Sequence, residues 1–448
     1  MARLNIAMLS AQEQTQVEQV EVQSELDVVG QQAEDAIAEA VQVQGEIEQT
    51  QQAAEDAEEV VQQVEEERQV LEQAQAQGGA EQAAMESLQR AMKRFEKRTG
   101  VPSSISSMGM ESFGSKTTRA QSTKIAMEGA KEYIKKLIKM LMDAVAAIWE
   151  KVKAFFDKIW VGAERLAKRA KQVEDAAKAA QGKTAPADAK VTTASVLKFA
   201  RQDDKAVEGG KFVDAFIAQT ADGFVTRKAN EKTLAEFIKG DKVSAILAAA
   251  KKADNKEELT KAILETHISD PTSSKSEDGV VAFKGKTRLL GDYIESSVVM
   301  SKDATWEQVA ANYNKVKGSI AVADDAKDGP KEVTPLTPEQ AKKLANQAAG
   351  HMSSYKDMRS EQSKIDAEVK KLLAESKALE KEKDAPTEQL RVGTGAVRAA
   401  VNFVLQGLVS WRSYDINLTK AALDYAAASI SAANGKGAAA TGKQVATV

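Results

Sequence analysis

The chain has 448 residues and no cysteine, which excludes disulfides and thiolate metal sites. Aromatic residues make up only 5% while alanine is abundant, a composition that favours helices over sheets. The formal net charge of −4 hides two opposed parts: residues 1–111 hold 22 acids against 7 bases, a net of −15, so the other 337 residues carry +11. Residues 1–90 alone contain 20 acids and only Arg3, Arg68 and Arg90 as bases. Nucleic acid would repel such a front and attract the remainder.

No basic-then-apolar signal opens the chain, and no unbroken run of about 18 apolar residues occurs, so a soluble protein made in a cytoplasm is expected. The acidic segment 1–98 reads as a long helix or weak coiled coil. Between residues 10 and 77 it has no proline and only Gly30 and Gly45, with Val17, Val20, Val28, Ala33, Ile37, Val41, Ile47, Val60, Val64 and Leu71 at roughly helical spacing. That valine–alanine seam is thin and its surroundings are negative, which predicts a helix that needs a partner or is partly disordered. A short basic helix follows over Glu86–Arg98. Residues 99–128, rich in Ser, Thr, Gly and Met around Pro102, read as a flexible linker.

A basic amphipathic helix is expected over 129–182. Ile134, Leu137, Ile138, Leu141, Val145, Ile148, Trp149, Val152, Phe155, Phe156 and Ile159 keep an i, i+3, i+4 rhythm, and lysines fill much of the other face. Three readings compete for it: a core-packing helix with solvated lysines, a membrane-surface helix, and a subunit-packing helix whose Lys131, Lys135, Lys136 and Lys139 meet DNA phosphates or a partner. Residues 190–330 read as a small mixed α+β region, with strand-like Val280–Phe283 and Ser297–Met300. Thr337 as N-cap and Pro338 at the first helical position open one long helix. Pro386-Thr387 opens another, giving an antiparallel helical hairpin over 335–433 and a loose tail over 434–448. The expected fold class is therefore mainly α.

A search for catalytic chemistry finds no residue set. His267 and His351 stand apart with no flanking ligand or nucleophile pattern. The Gly-Lys-Thr triplets at Gly182 and Gly285 lack the phosphate-loop glycine, since Ala177 and Val280 occupy the required positions. No enzymatic activity and no cofactor are expected.

One pattern near the linker carries more information. Ala84-Met85-Glu86, Gly109-Met110-Glu111 and Ala126-Met127-Glu128 are the chain's three small-Met-Glu tripeptides, followed by Ser87, Ser112 and Gly129. An extended, accessible linker is where a protease can act. Together with the acidic Gln/Glu-rich front, the Lys-Ile-Phe-Trp helix, the stretch Leu336-Thr337-Pro338-Glu339-Gln340 and the region Tyr414–Ala426, these tripeptides resemble the internal head proteins of giant phiKZ-type tailed phages.

The resemblance implies a virion structural protein made as a precursor in the host cytoplasm. A prohead protease would cut it after Glu in Ser/Ala/Gly-x-Glu sites and release the propeptide. The mature part would stay in the capsid interior with the DNA. The scissile pairs carried over are Glu111–Ser112 and Glu128–Gly129, with Glu86–Ser87 as an earlier cut. Implied partners are the protease, capsid or scaffold proteins, packaged DNA bound without sequence preference, and further copies of the chain; a membrane is not among them. The competing reading is a cytoplasmic coiled-coil adaptor or scaffold without processing.

Overall fold

A computed structural model of the chain describes residues 2–107, 116–221, 241–252, 255–265, 269–270, 278–284, 288–357, several positions between 363 and 374, and 387–435. Three long helices organise it: α1 (Ala2–Ala76), α3 (Lys116–Ala179) and the C-terminal α10 (Thr387–Ala433), with the shorter α2 (Gln82–Thr99) between the first two.

Helix α10 is buried over most of its length, several of its polar and charged side chains included, and sits at the centre, a long helix wrapped by protein. Helices α3, α9 (Pro338–Ser353), α6 (Asp241–Lys251), α4 (Ala194–Phe199) and α1 all pack on it, as does strand β6 (Lys317–Val322). By length and composition it could cross a membrane, but 76% of its most apolar window is buried inside the molecule. The remaining short helices are α5 (210–221), α7 (Lys256–Leu264) and α8 (Trp306–Asn312).

The thin seam of α1 finds its partner within the chain. From residue 33 onward, Ala33, Ile37, Ala40 and Ile47 join the main core with Trp149, Phe155, Phe156 and Ile159 of α3. Farther along, Val60, Val61, Val64 and Leu71 form a second core with Met85, Leu88 and Met92 of α2 and with Ala126, Tyr133, Ile134 and Leu137 of α3. Small residues on α1 let the helices approach closely, so a poor seam still excludes water against the large side chains opposite.

The two-glycine turn after α1 makes that second core possible. Gly79 has φ +106° and faces the α3 backbone so closely that a Cβ there would lie 2.5 Å from Ala120 N and Arg119 C. The next amide, Ala80 N–H, donates to Thr123 Oγ1 at 2.8 Å.

This packing corrects the expected boundary of the linker. Residues 116–128 form the first turns of α3, because Ala126 and Ala130 have α2 and α1 to pack against. Residues 100–107 are also tied down: Glu96 accepts from Ser103 N–H and from Ser106 Oγ at 2.7 Å, and Lys136 Nζ donates to Pro102 O at 3.2 Å.

The mixed region holds two small sheets among the described residues. Strands β1 (Arg201–Gln202) and β2 (Lys205–Ala206) form a short hairpin. In the larger sheet, β5 (Tyr293–Ser301) is flanked antiparallel by β4 (Val280–Lys284) and by β6, with β3 (Ser269–Asp270) parallel at its end. The two strand-like runs of the sequence therefore pair with each other, Val280 opposite Met300 and Phe283 opposite Ser297.

Thr337 caps α9 as expected. Its Oγ1 accepts from Gln340 N–H at 3.2 Å, and Gln340 Oε1 accepts from Thr337 N–H at 3.0 Å. Helices α9 and α10 run antiparallel, with Leu336 N–H bonded to Ser429 Oγ at 2.9 Å and Tyr355 OH to Asp415 Oδ2 at 3.2 Å. His351 is buried there, its Nε2 3.6 Å from Asp415 Oδ2. Gly182 closes a turn after α3, while His267 and Gly285 lie outside the described residues, as does the tail beyond residue 435.

Candidate functional site

The acidic helix and the basic helix meet along their length. Helix α1 runs antiparallel to α3: Glu46 pairs with Lys151 at 2.8 Å, Glu39 with Lys158, and Arg165 donates to Gln32 O. It is also antiparallel to α10, where Glu34 pairs with Lys420 at 2.8 Å, Gln44 Oε1 accepts from Ser413 Oγ at 2.7 Å and Gln51 Oε1 accepts from Gln406 Nε2 at 2.9 Å. Helix α1 therefore lies in the groove between α3 and α10.

The polar positions on the buried side of α1 recur every seven residues: Gln44, Gln51, Glu58 and Glu65. Each has a polar partner, the first three on α10 and Glu65 on Arg68 of its own helix at 2.8 Å. A helix whose apolar seam is uniform slides easily; a polar residue with one matching partner per heptad fixes the register.

The most buried member is Glu58, at 2% exposure. Its Oε2 accepts from Arg398 Nη2 at 2.9 Å, and its Oε1 accepts from the Tyr313 hydroxyl. Arg391 Nη1 donates to the same hydroxyl at 3.2 Å and Arg391 Nη2 to Ala310 O at 3.4 Å. Burial, with the Glu58 charge beside it, pushes the Tyr313 hydroxyl far above the ordinary phenol range, so it stays protonated and donates. Gly395 makes room for that ring, since a Cβ there would lie 2.3 Å from Tyr313 Cε2.

A second charged cluster joins the same three long helices. Arg169 of α3 binds Asp424 of α10 at 2.7 Å, Lys420 binds Asp424 at 2.8 Å, and Lys420 reaches Glu34 of α1. Burial opposes ionisation of Asp424, but the charges of Arg169 and Lys420 and the hydrogen bond from Ser195 keep its carboxyl below the usual range.

The expected cleavage residues fall in unlike settings. Glu86 and Ser87 lie in the first turns of α2, next to buried Met85 and Leu88. Glu128 and Gly129 lie well inside α3, Glu128 exposed but between buried Ala126 and Ala130. Glu111 and Ser112 lie outside the described residues, between residue 107 and the start of α3 at 116.

The four lysines named from the sequence share one stretch of α3. Lys136 and Lys139 are exposed, Lys131 and Lys135 half-buried, and Lys135 pairs with Glu132 at 3.6 Å. Among the described residues, ion pairs to α1 carboxylates are made by Lys151, Lys158 and Lys420.

Sequence reasoning missed Glu58, Tyr313, Arg391 and Arg398. The seven-residue spacing of Gln44, Gln51, Glu58 and Glu65 was the available signal for the first; nothing local pointed to the other three, whose meeting depends on tertiary folding.

No curated protein matches the chain, and no solved structure does. A family model does: that of the phiKZ-like phage internal head proteins matches residues 16–428, from within α1 almost to the end of α10. The chain belongs to the phiKZ-like phage internal head proteins.

Proposed function

We propose that this internal head protein is made as a precursor in which α1 serves as an acidic, intramolecular cover for the basic body, and that a prohead protease frees the body by cutting after Glu111. An internal head protein works inside the virion head in association with capsid components. The observation that carries the proposal is the seating of the acidic helix on α3 and α10 by matched ion pairs and a polar register.

A protease needs several residues in extended form, so a site within a packed helix must first be unfolded. Glu86 and Glu128 both lie within packed helices, whereas Glu111 stands in a Ser-, Gly- and Met-rich stretch of the sequence. Cleavage at Glu86 or Glu128 requires the second core to open, so the proposal assigns the first cut to Glu111. Loss of residues 1–111 changes the chain from −4 to +11, and the further loss of 112–128 leaves +9. Either product suits close contact with packaged DNA better than the precursor does, through Lys131, Lys135, Lys136 and Lys139 among others. Release of α1 also bares the apolar face of α3, which then packs on further copies or on capsid proteins.

The test is co-expression of the chain with the phage's own prohead protease. Glu111→Gln is expected to abolish the first cut, while Glu128→Gln leaves it intact. Equal cutting of the wild-type chain and E111Q at that position would refute the assignment.

A further inference from the structure

The three buried groups around Glu58 have a feature that its role as a register residue does not require. The Glu58 carboxylate accepts from one guanidinium group, Arg398 at 2.9 Å, and from the Tyr313 hydroxyl, which a second guanidinium group, Arg391, reaches from behind at 3.2 Å. Arg391 is 7% exposed and Arg398 3% exposed, and the Nε atom of each has no hydrogen-bond partner. A buried guanidinium with an unused donor binds more oxygen than one carboxylate supplies. Glu388, the acid nearest Arg391 on α10, is engaged by Lys256 at 3.0 Å.

Beside this cluster lies a pocket of about 440 Å³ between α1, α10 and the start of β6, lined by Glu55, Lys315, Lys317, Arg398, Asn402 and Gln406 among others. Its acidic wall comes from α1 alone. Its two lysines, its arginine and its amides all belong to the body.

We propose that Arg391, Arg398 and Tyr313, with Lys315 and Lys317 at the mouth, form a phosphate-binding site of the body, and that the Glu58 carboxylate is its internal occupant in the uncut chain. The exposure of this site rests on the removal of α1 proposed above; its chemistry does not. When α1 leaves, Glu58 and Glu55 leave with it. Arg391, Arg398 and the Tyr313 hydroxyl then stand without that carboxylate, with Lys315 and Lys317 on the wall of the adjoining pocket. A tetrahedral phosphate meets that demand better than a carboxylate, because its oxygens accept from both arginine forks and from the phenol together. The phosphate comes from a nucleic-acid backbone or from free phosphate.

Two arms separate these sources. In the first, full-length Glu58→Ala is melted with and without inorganic phosphate at constant ionic strength. Phosphate is expected to raise its Tm and to leave wild type and E58A/R398Q unmoved. Equal shifts in all three, or none in E58A, would overturn the site. In the second, protein recovered from particles carrying R391Q/R398Q is compared with wild type for duplex DNA binding across salt. A backbone site predicts affinity lower by about tenfold or more and a salt slope smaller by about 2. An unchanged slope, with the phosphate shift retained, assigns the site to free phosphate.

If E58A does not fold, E58M/R398M removes the charged pair while filling its volume, and the slope of that variant decides in the same way. Should particle-derived protein prove uncut, the phosphate arm alone still tests the site, so this inference and the processing proposal fail separately.

Discussion

Glu58 and Arg398 illustrate how a single buried pair ties two distant parts of the chain, 340 residues apart. Removing one member leaves the other charged and dry, which costs about 3–5 kcal/mol, whereas replacing both by apolar groups of similar volume is close to neutral. Arg398→Met is accordingly expected to lower the urea-unfolding free energy by an amount in that range, and E58M/R398M to recover most of it. A second residue-scale prediction concerns Asp366. Burial would raise its carboxyl, but hydrogen bonds from Lys370, Trp149 Nε1 at 2.8 Å and Lys153 outweigh burial and hold it at about 2, below the ordinary 3.8. A carboxyl depressed in the folded state contributes stability above its unfolded value and loses it as pH falls. The stability difference between wild type and Asp366→Asn should therefore be constant above pH 4, about 2 kcal/mol for hydrogen bonds to a charged group, and shrink between pH 4 and 2 in acid-denaturation curves.

Individual elements were legible in the sequence to the degree that local chemistry dictated them. Thr337 and Pro338 gave the start of α9 because a cap is decided by a few neighbouring residues. The apolar rhythm of Ile134 to Ile159 gave the buried face of α3 for the same reason. Residues 116–128 looked like linker because their own composition is weakly apolar; their order comes from Met85, Leu88 and α1, which no local window contains. The partner of α1 was likewise invisible, since a thin Ala/Val seam says how close a neighbour can come but not which one it is.

Two element-scale predictions follow from those contacts. Gly79→Ala forces an L side chain into a positive φ and against the α3 backbone, so it should destabilise the chain by about 1–3 kcal/mol, with faster hydrogen exchange centred on residues 80–92 and 119–130. The pairs Glu46–Lys151 and Glu39–Lys158 are largely exposed and contribute roughly 0.2–1 kcal/mol each. Their reversal in K151E/K158E should weaken urea stability modestly at low salt and much less near about 1 M salt, where the Debye length is only about 3 Å.

On the scale of the whole molecule, charge and packing point the same way. Residues 1–111 carry −15 and the remainder +11, and α1 is seated on α3 and α10 with buried pairs setting the register and exposed pairs neutralising the surface. Under the processing we propose, α1 is a cover chemically opposite to what it covers, and a cut in the segment that contains Glu111 removes it once. The most direct test is the N-terminal sequence and intact mass of the protein from purified mature particles. The expected result is a chain beginning at Ser112 and lacking α1 and α2. A chain beginning at Met1 or Ala2 with its full mass of 48.1 kDa would contradict it.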